Sequence, residues 1–362
     1  MHIALFLSSV FSSFHRTPVG TQAFYVLFAE QVDSPTWPRK LCQNNGVGPQ
    51  GGECVDARKY TNGVFITSPQ NMTTEKIDKV KRTVQGSSVL AYFDFNHIPL
   101  AHSAECPFCH GHIMGDRTGR NCSTTYHCGP SRFLSGLQEA FPNRLAVHDI
   151  TDGLPGVMVE SYPGLATYVW SNASAFALAN FLGDWLLRDG YDGIYLDGYL
   201  EPSRVNFEQC KTLQQGCASF MKAGRLYDVD GDGHPDSSAQ VYGSYFAWAP
   251  AFVALMRARF GRSKIILANS GGSLSDSSLS GVTIEMEGCT GEHGGPHMCS
   301  NALDAQMIAS TAADVEPLSI LWMTHSEAMP ADKQCAIVAQ LQTQYPWVQA
   351  GTDFFDGSQV VC

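Results

Sequence analysis

The chain has 362 residues, 44% of them hydrophobic and 16% charged, which is enough apolar content to bury a large core in one or two domains and too much for a disordered chain. Its 23 basic and 34 acidic residues leave a formal net charge of -11, which argues against a nucleic-acid partner, because phosphate binding needs clustered Lys and Arg. A neutral or cationic substrate suits this charge better.

Residues 1–20 form an N-terminal segment containing Ile3-Ala4-Leu5-Phe6-Leu7 followed by serines. It reads either as a signal-peptide core without a basic leader, as the tail of a first barrel strand, or as a truncated start. Residues 21–362 read as a single domain in which strand-like and helix-like runs alternate, the mark of an α/β protein with parallel strands. The strand candidates are Ala23–Phe28, Gly63–Thr67, Val89–Phe95, Leu145–Ile150, Ala166–Trp170, Gly193–Asp197, Lys264–Asn269, Val282–Met286 and Leu318–Met323. A closed barrel has eight places, and Leu145–Ile150, which sits in a cysteine-rich excursion, is the candidate to set aside. Helices are expected after Thr73 or Thr74, from the cap Asn172 to the stop at Gly190, over Tyr245–Phe260 before Gly261, over Asn301–Ala313, and over Ala331–Tyr345 behind Pro330. Two cysteine-containing insertions, about 97–143 and 201–244, follow strand ends, which in a barrel puts them on the catalytic face. No further apolar run is long enough to span a bilayer.

The sharpest feature is Tyr191-Asp192-Gly193-Ile194-Tyr195-Leu196-Asp197-Gly198, an apolar run that ends on an acid. About ninety residues later Gly281-Val282-Thr283-Ile284-Glu285 repeats the layout, with a carboxylate four positions after a glycine. An acid at a strand's exit reads as catalytic in a barrel. Asp197 and Glu285 are therefore expected to serve as a glycosidase pair, one protonating the leaving oxygen while the other attacks or activates water. The bland alternative is that both cap neighbouring helices. Glu287 shares the strand parity of Glu285 and is the alternative acid. Asp94, Asn269 and His325 stand at strand exits where they could bind sugar hydroxyls, and Trp170 and Tyr199 could stack on pyranose rings; a capping or core role is the alternative for each.

Val89-Leu90-Ala91-Tyr92-Phe93, then Gly190 to Asp197, then Ile266-Leu267-Ala268-Asn269, and finally Val282-Thr283-Ile284-Glu285 resemble, in this order, the glycoside hydrolases related to endo-alpha-1,4-polygalactosaminidases. The resemblance covers roughly residues 60–357, with the two insertions as departures. It implies a (β/α)8 TIM barrel whose active-site acids map onto Asp197, as nucleophile or base, and Glu285, as general acid. Two alternatives stay open: a lectin-like barrel that binds carbohydrate without cleaving it, and a metal-dependent hydrolase.

Asp228, Asp230, Asp232 and Asp236 alternate around a turn glycine, a pattern that surrounds a structural Ca2+ with oxygens. Ala239 stands where an EF-hand needs Glu, so a dockerin-like loop is the closer likeness. Cys106, Cys109, His110, His112, Cys122, His127 and Cys128 could hold structural Zn2+, but twelve cysteines in all favour disulfides. Sequons at Asn71, Asn121 and Asn172 join the cysteines in suggesting a secreted glycoprotein. No cofactor is expected for catalysis: there is no Walker lysine, dinucleotide fingerprint or nucleophile elbow.

Overall fold

The computed structural model describes residues 24–26, 29–40, 56–60, 63–67, 72–94, 98–99, 157–162, 165–168, 172–197, 227–230, 232–269, 277–285, 303–304, 319–323, 331–345 and 348–352. In chain order the strands are β1 (Phe24–Val26), β2 (Val64–Thr67), β3 (Ser88–Asp94), β4 (Ile98–Pro99), β5 (Val157–Tyr162), β6 (Leu165–Tyr168), β7 (Gly193–Asp197), β8 (Ile265–Asn269), β9 (Gly281–Glu285), β10 (Ser319–Met323) and β11 (Val348–Thr352). The helices are α1 (Ala29–Asp33), α2 (Thr74–Thr83), α3 (Asn172–Asp189), α4 (Ser238–Phe260) and α5 (Ala331–Gln344).

Eight strands form one sheet in the order β1-β2-β3-β7-β8-β9-β10-β11, all in parallel. The edge strands β1 and β11 lie beside each other, so the sheet curls round on itself in a TIM-barrel-like arrangement. Strands such as Val64-Phe65-Ile66-Thr67 are buried throughout, as expected where both faces of a parallel sheet are covered. The two faces differ in use. Phe93 turns its ring to Phe252 of α4, with centroids 5.8 Å apart, so odd-numbered β3 positions face the helices. Even positions, Tyr92 among them, face inward.

The helices begin and stop where their ends are satisfied. Thr73 caps α2 by accepting from the Lys76 amide, and Ser237 with Gln240 forms a capping box on α4. Gly190 ends α3 with a φ of 85°, a conformation that costs glycine little. α3 and α4 pack on each other, and Leu178, Leu182 and Trp185 of α3 and Trp248, Phe252 and Met256 of α4 are all buried.

The two acids of the Tyr191–Gly198 motif have separate duties. Asp192 precedes β7, at the N-terminal end of the sheet: its carboxylate accepts from the Val89 amide at 2.9 Å and from Lys81 Nζ at 2.8 Å. Its carbonyl accepts from the Ile265 amide at 2.9 Å. It thus ties β3, β7 and β8 together where they begin, and this face of a barrel serves stability. Replacing Asp192 by Ala leaves the Val89 N–H without its acceptor and is expected to cost about 1–3 kcal/mol in urea unfolding. An unchanged midpoint would refute that role.

The structure redistributes two strand assignments. Ala166–Trp170 was expected in the barrel, but β6 pairs instead with β4 and β5 in a separate antiparallel sheet of order β4-β6-β5. Its place is taken by β11, Val-Gln-Ala-Gly-Thr, which has little strand propensity of its own and is held by its full-length register with β10. The segment between β3 and α3 includes β4, β5 and β6, and α4 begins at Ser238, earlier than the helix start expected at Tyr245. Leu145–Ile150 lies outside the described residues, as does Asn301–Ala313 apart from Leu303 and Asp304. Among the described residues no helix is long and apolar enough to cross a membrane.

Candidate active site

Four adjacent strands, β3, β7, β8 and β9, bring the site together. Register pairs Tyr92 with Tyr195 and Asp94 with Asp197 across β3 and β7, and Asn269 with Thr283 across β8 and β9. Because register partners in a parallel sheet share a face, side chains distant in sequence meet at the C-terminal end of the strands. Asp197 is the half-buried centre of the group. Its Oδ2 accepts from the Tyr92 hydroxyl at 2.6 Å, and its Oδ1 accepts from Asn269 Nδ2 at 3.0 Å. Hydrogen bonds donated to a carboxylate favour its charged form. The phenol rings of Tyr92 and Tyr195 stack at 5.8 Å with 25° between planes, which limits where the Tyr92 hydroxyl can point.

Behind Asp197 the polar contacts go deeper. Thr283 Oγ1 is 3.2 Å from both Asn269 Oδ1 and the Tyr195 hydroxyl. Asn269 is 6% exposed, Tyr195 2% and Thr283 not at all, so the contacts run from an accessible carboxylate into the dry core. Such a constellation can hold a charged oxygen nucleophile or base in one orientation while leaving it open to solvent.

Glu285 ends β9, opposite Trp322 in the register with β10 and two residues beyond Thr283. It therefore has the strand parity of Thr283 and stands, like Asp197, at the last position of its strand. Asn269, expected to bind sugar hydroxyls, spends its amide on Asp197. Trp170, Tyr199, Glu287 and His325 lie outside the described residues. Tyr92, Tyr195 and Thr283 had not been singled out from the sequence. Their signal was parity: Tyr195 is two residues before Asp197, and Thr283 two before Glu285.

The acidic loop lies before α4. Asp228, Asp230 and Asp236 each bring one carboxylate oxygen to within 4.8 Å of the others. Asp232, expected in the same set, lies apart from this trio: its Oδ1 accepts from the His234 amide at 2.7 Å, and its own amide donates to Asp228 at 3.1 Å. The Asp230 carboxyl has a raised pKa. The hydrogen bond from the Asp232 amide acts to lower it, but desolvation and the neighbouring charges of Asp232, Asp236 and Asp228 outweigh that bond. The Cys106 to Cys128 cluster lies outside the described residues.

No family model matches the chain, and no curated protein is similar to it in sequence. Among solved structures, the glycoside hydrolase domain of PelA from Pseudomonas aeruginosa is similar at a TM-score of 0.42 and 10% identity, covering 92% of this chain and 96% of that one. A GH18 chitinase from Pseudoalteromonas aurantia is similar at 0.35 and 10%, covering 80% and 86%. A maltogenic alpha-amylase, AmyB, from Thermotoga neapolitana is similar at 0.42 and 8%, covering 93% and 68%. At these scores the likenesses bear on neither mechanism nor substrate.

Proposed function

We propose that this chain is a secreted (β/α)8 glycoside hydrolase, related to the endo-alpha-1,4-polygalactosaminidases, that cleaves an oligo- or polysaccharide. Asp197 acts as nucleophile or base and Glu285 as general acid. The observation that carries this reading is the Asp197 carboxylate, accessible at the C-terminal end of β7 with each oxygen hydrogen-bonded from a flanking strand. A barrel's chemistry is built at this end. The second carboxylate comes from the last position of β9, with one strand, β8, between the two.

The chemistry is a division of labour. The ionised acid attacks the anomeric carbon or removes a proton from water, while the protonated one donates to the departing glycosidic oxygen. Asp94, the register partner of Asp197, would bind the sugar together with Trp170, Tyr199 and His325. Secretion is supported by the twelve cysteines and by the three sequons.

Hydrolysis of a polysaccharide panel that includes galactosaminoglycan polymers tests the reading. Reducing ends released from at least one member are expected. Binding of a glycan without cleavage would replace the enzyme by the lectin-like barrel.

The reading includes a structural Ca2+ held by Asp228, Asp230 and Asp236, which would order the segment leading into α4. Millimolar Ca2+ is then expected to raise the thermal midpoint by about 2–4 °C, and less so in acid, where protons compete for the raised Asp230 carboxyl. The double variant Asp228→Asn/Asp230→Asn should lose the increment. An increment absent from the wild type removes the ion from the reading.

A further inference from the structure

The carboxylate of Asp197 is the outer end of a hydrogen-bond chain that closes on its own strand. The Tyr195 hydroxyl lies 3.2 Å from Thr283 Oγ1, Thr283 Oγ1 lies 3.2 Å from Asn269 Oδ1, and Asn269 Nδ2 lies 3.0 Å from Asp197 Oδ1. The path leaves β7 at Tyr195, crosses to β9, returns through β8, and re-enters β7 at Asp197.

The chemistry of the groups fixes its direction. An ionised carboxylate only accepts, so Asn269 must turn its amide nitrogen to Asp197 and its carbonyl to Thr283. That carbonyl also only accepts, so Thr283 gives it the one hydroxyl proton it has; the Ala268 carbonyl is the longer option at 3.4 Å. Tyr195 then donates to Thr283. Reversing the Asn269 amide would set its oxygen against the Asp197 charge, and would suit only a protonated Asp197. The chain is thus built for one protonation state of the carboxyl at its end.

We propose that Thr283 is a positioning residue: through Asn269 it holds Asp197 as an ionised carboxylate of fixed orientation. The inference rests on the glycosidase reading only for its kinetic consequence, since the hydrogen-bond chain itself is a property of the protein without substrate. Among the described residues, the other titratable groups placed at this end of the neighbouring strands are Tyr92 and Asp94 on β3 and Glu285 on β9. They are common to every Thr283 variant, so a difference between variants reports the hydroxyl.

The test is a carbon-13 NMR titration of the side-chain carboxyls in the full chain, with Asp197→Asn identifying the Asp197 resonance. Thr283→Val removes the hydroxyl at nearly constant volume and is expected to raise the Asp197 midpoint by about one pH unit. Thr283→Ser restores the hydroxyl and should titrate as the wild type does. Tyr195→Phe, one step further along the chain, should shift the midpoint in the same direction by less. A Val variant that titrates with the wild type, or a Ser variant that shifts with Val, overturns the proposal. If Thr283→Val does not fold, Tyr195→Phe decides, and an unmoved midpoint overturns it. The acidic limb of kcat/KM should move with the NMR midpoint. A midpoint that shifts in a protein that cleaves no glycan supports the hydrogen-bond chain and removes only the glycosidase.

Discussion

Asp197→Asn is expected to abolish glycan cleavage, lowering kcat by about 10^3-fold or more, as removal of a nucleophile or base does, while leaving the unfolding transition in place. The substitution keeps the shape of the side chain. It also keeps these two contacts, because the new amide oxygen can accept from Asn269 and the new amide nitrogen can donate to the Tyr92 oxygen. What disappears is the charge. Glu285→Gln should reduce cleavage of natural glycans as severely, for a different reason: the leaving oxygen then departs without a proton. Aryl glycosides separate the two roles, since a phenolate departs unaided. Glu285→Gln should retain activity on them and Asp197→Asn should not. The opposite order would exchange the assignments, and full activity of Asp197→Asn on every substrate would end the reading of Asp197 as a catalytic group.

Gly193→Ala should prevent folding, or cost about 3 kcal/mol or more if the protein survives, at or above the upper end of the usual cost of overpacking. A Cβ at this position would run into the main-chain carbonyl of Ile265 on β8, with the Ile265 carbonyl carbon and amide nitrogen close behind. Neither strand can yield. Gly193 and Ile265 are register partners, and the Ile265 amide is engaged with the Asp192 carbonyl. Gly190 makes a useful control. Nothing lies near its would-be Cβ, and only its φ of 85° resists a side chain, so Gly190→Ala should cost about 1 kcal/mol. Urea denaturation of the two variants beside the wild type measures the contrast. Equal costs would mean that the approach of β7 to β8 is not what Gly193 serves.

These two expectations meet in one short motif. The sequence repeat of a glycine four residues before an acid pointed to the acid, and for Gly193 the structure supplies a reason for the glycine: it lets β7 and β8 come together where the strands begin. Asp192 ties the same end of the sheet, while Asp197, five residues on, is presented at the other end. From composition alone the two aspartates are equivalent, and their separation along the strand is what divides stability from chemistry.

The sequence by itself determined the parts that depend on local pattern. Runs of β-branched and aromatic residues located β2, β3, β7, β8, β9 and β10, and hydroxyl, glycine or proline signals at helix ends located α2, α3 and α5 to within a residue or two. Strand parity and position also placed Asp197 and Glu285 at strand exits. Only the tertiary structure decided which sheet a strand joins. β6 has strand-forming residues yet pairs outside the barrel, while β11 has few and completes the parallel sheet, because pairing energy comes from neighbours rather than from the strand. The partners of Asp197 were illegible for the same reason. Tyr92, Asn269 and Thr283 are scattered over nearly two hundred positions, and only the registers of β3 with β7, β7 with β8 and β8 with β9 bring their polar atoms within hydrogen-bond reach.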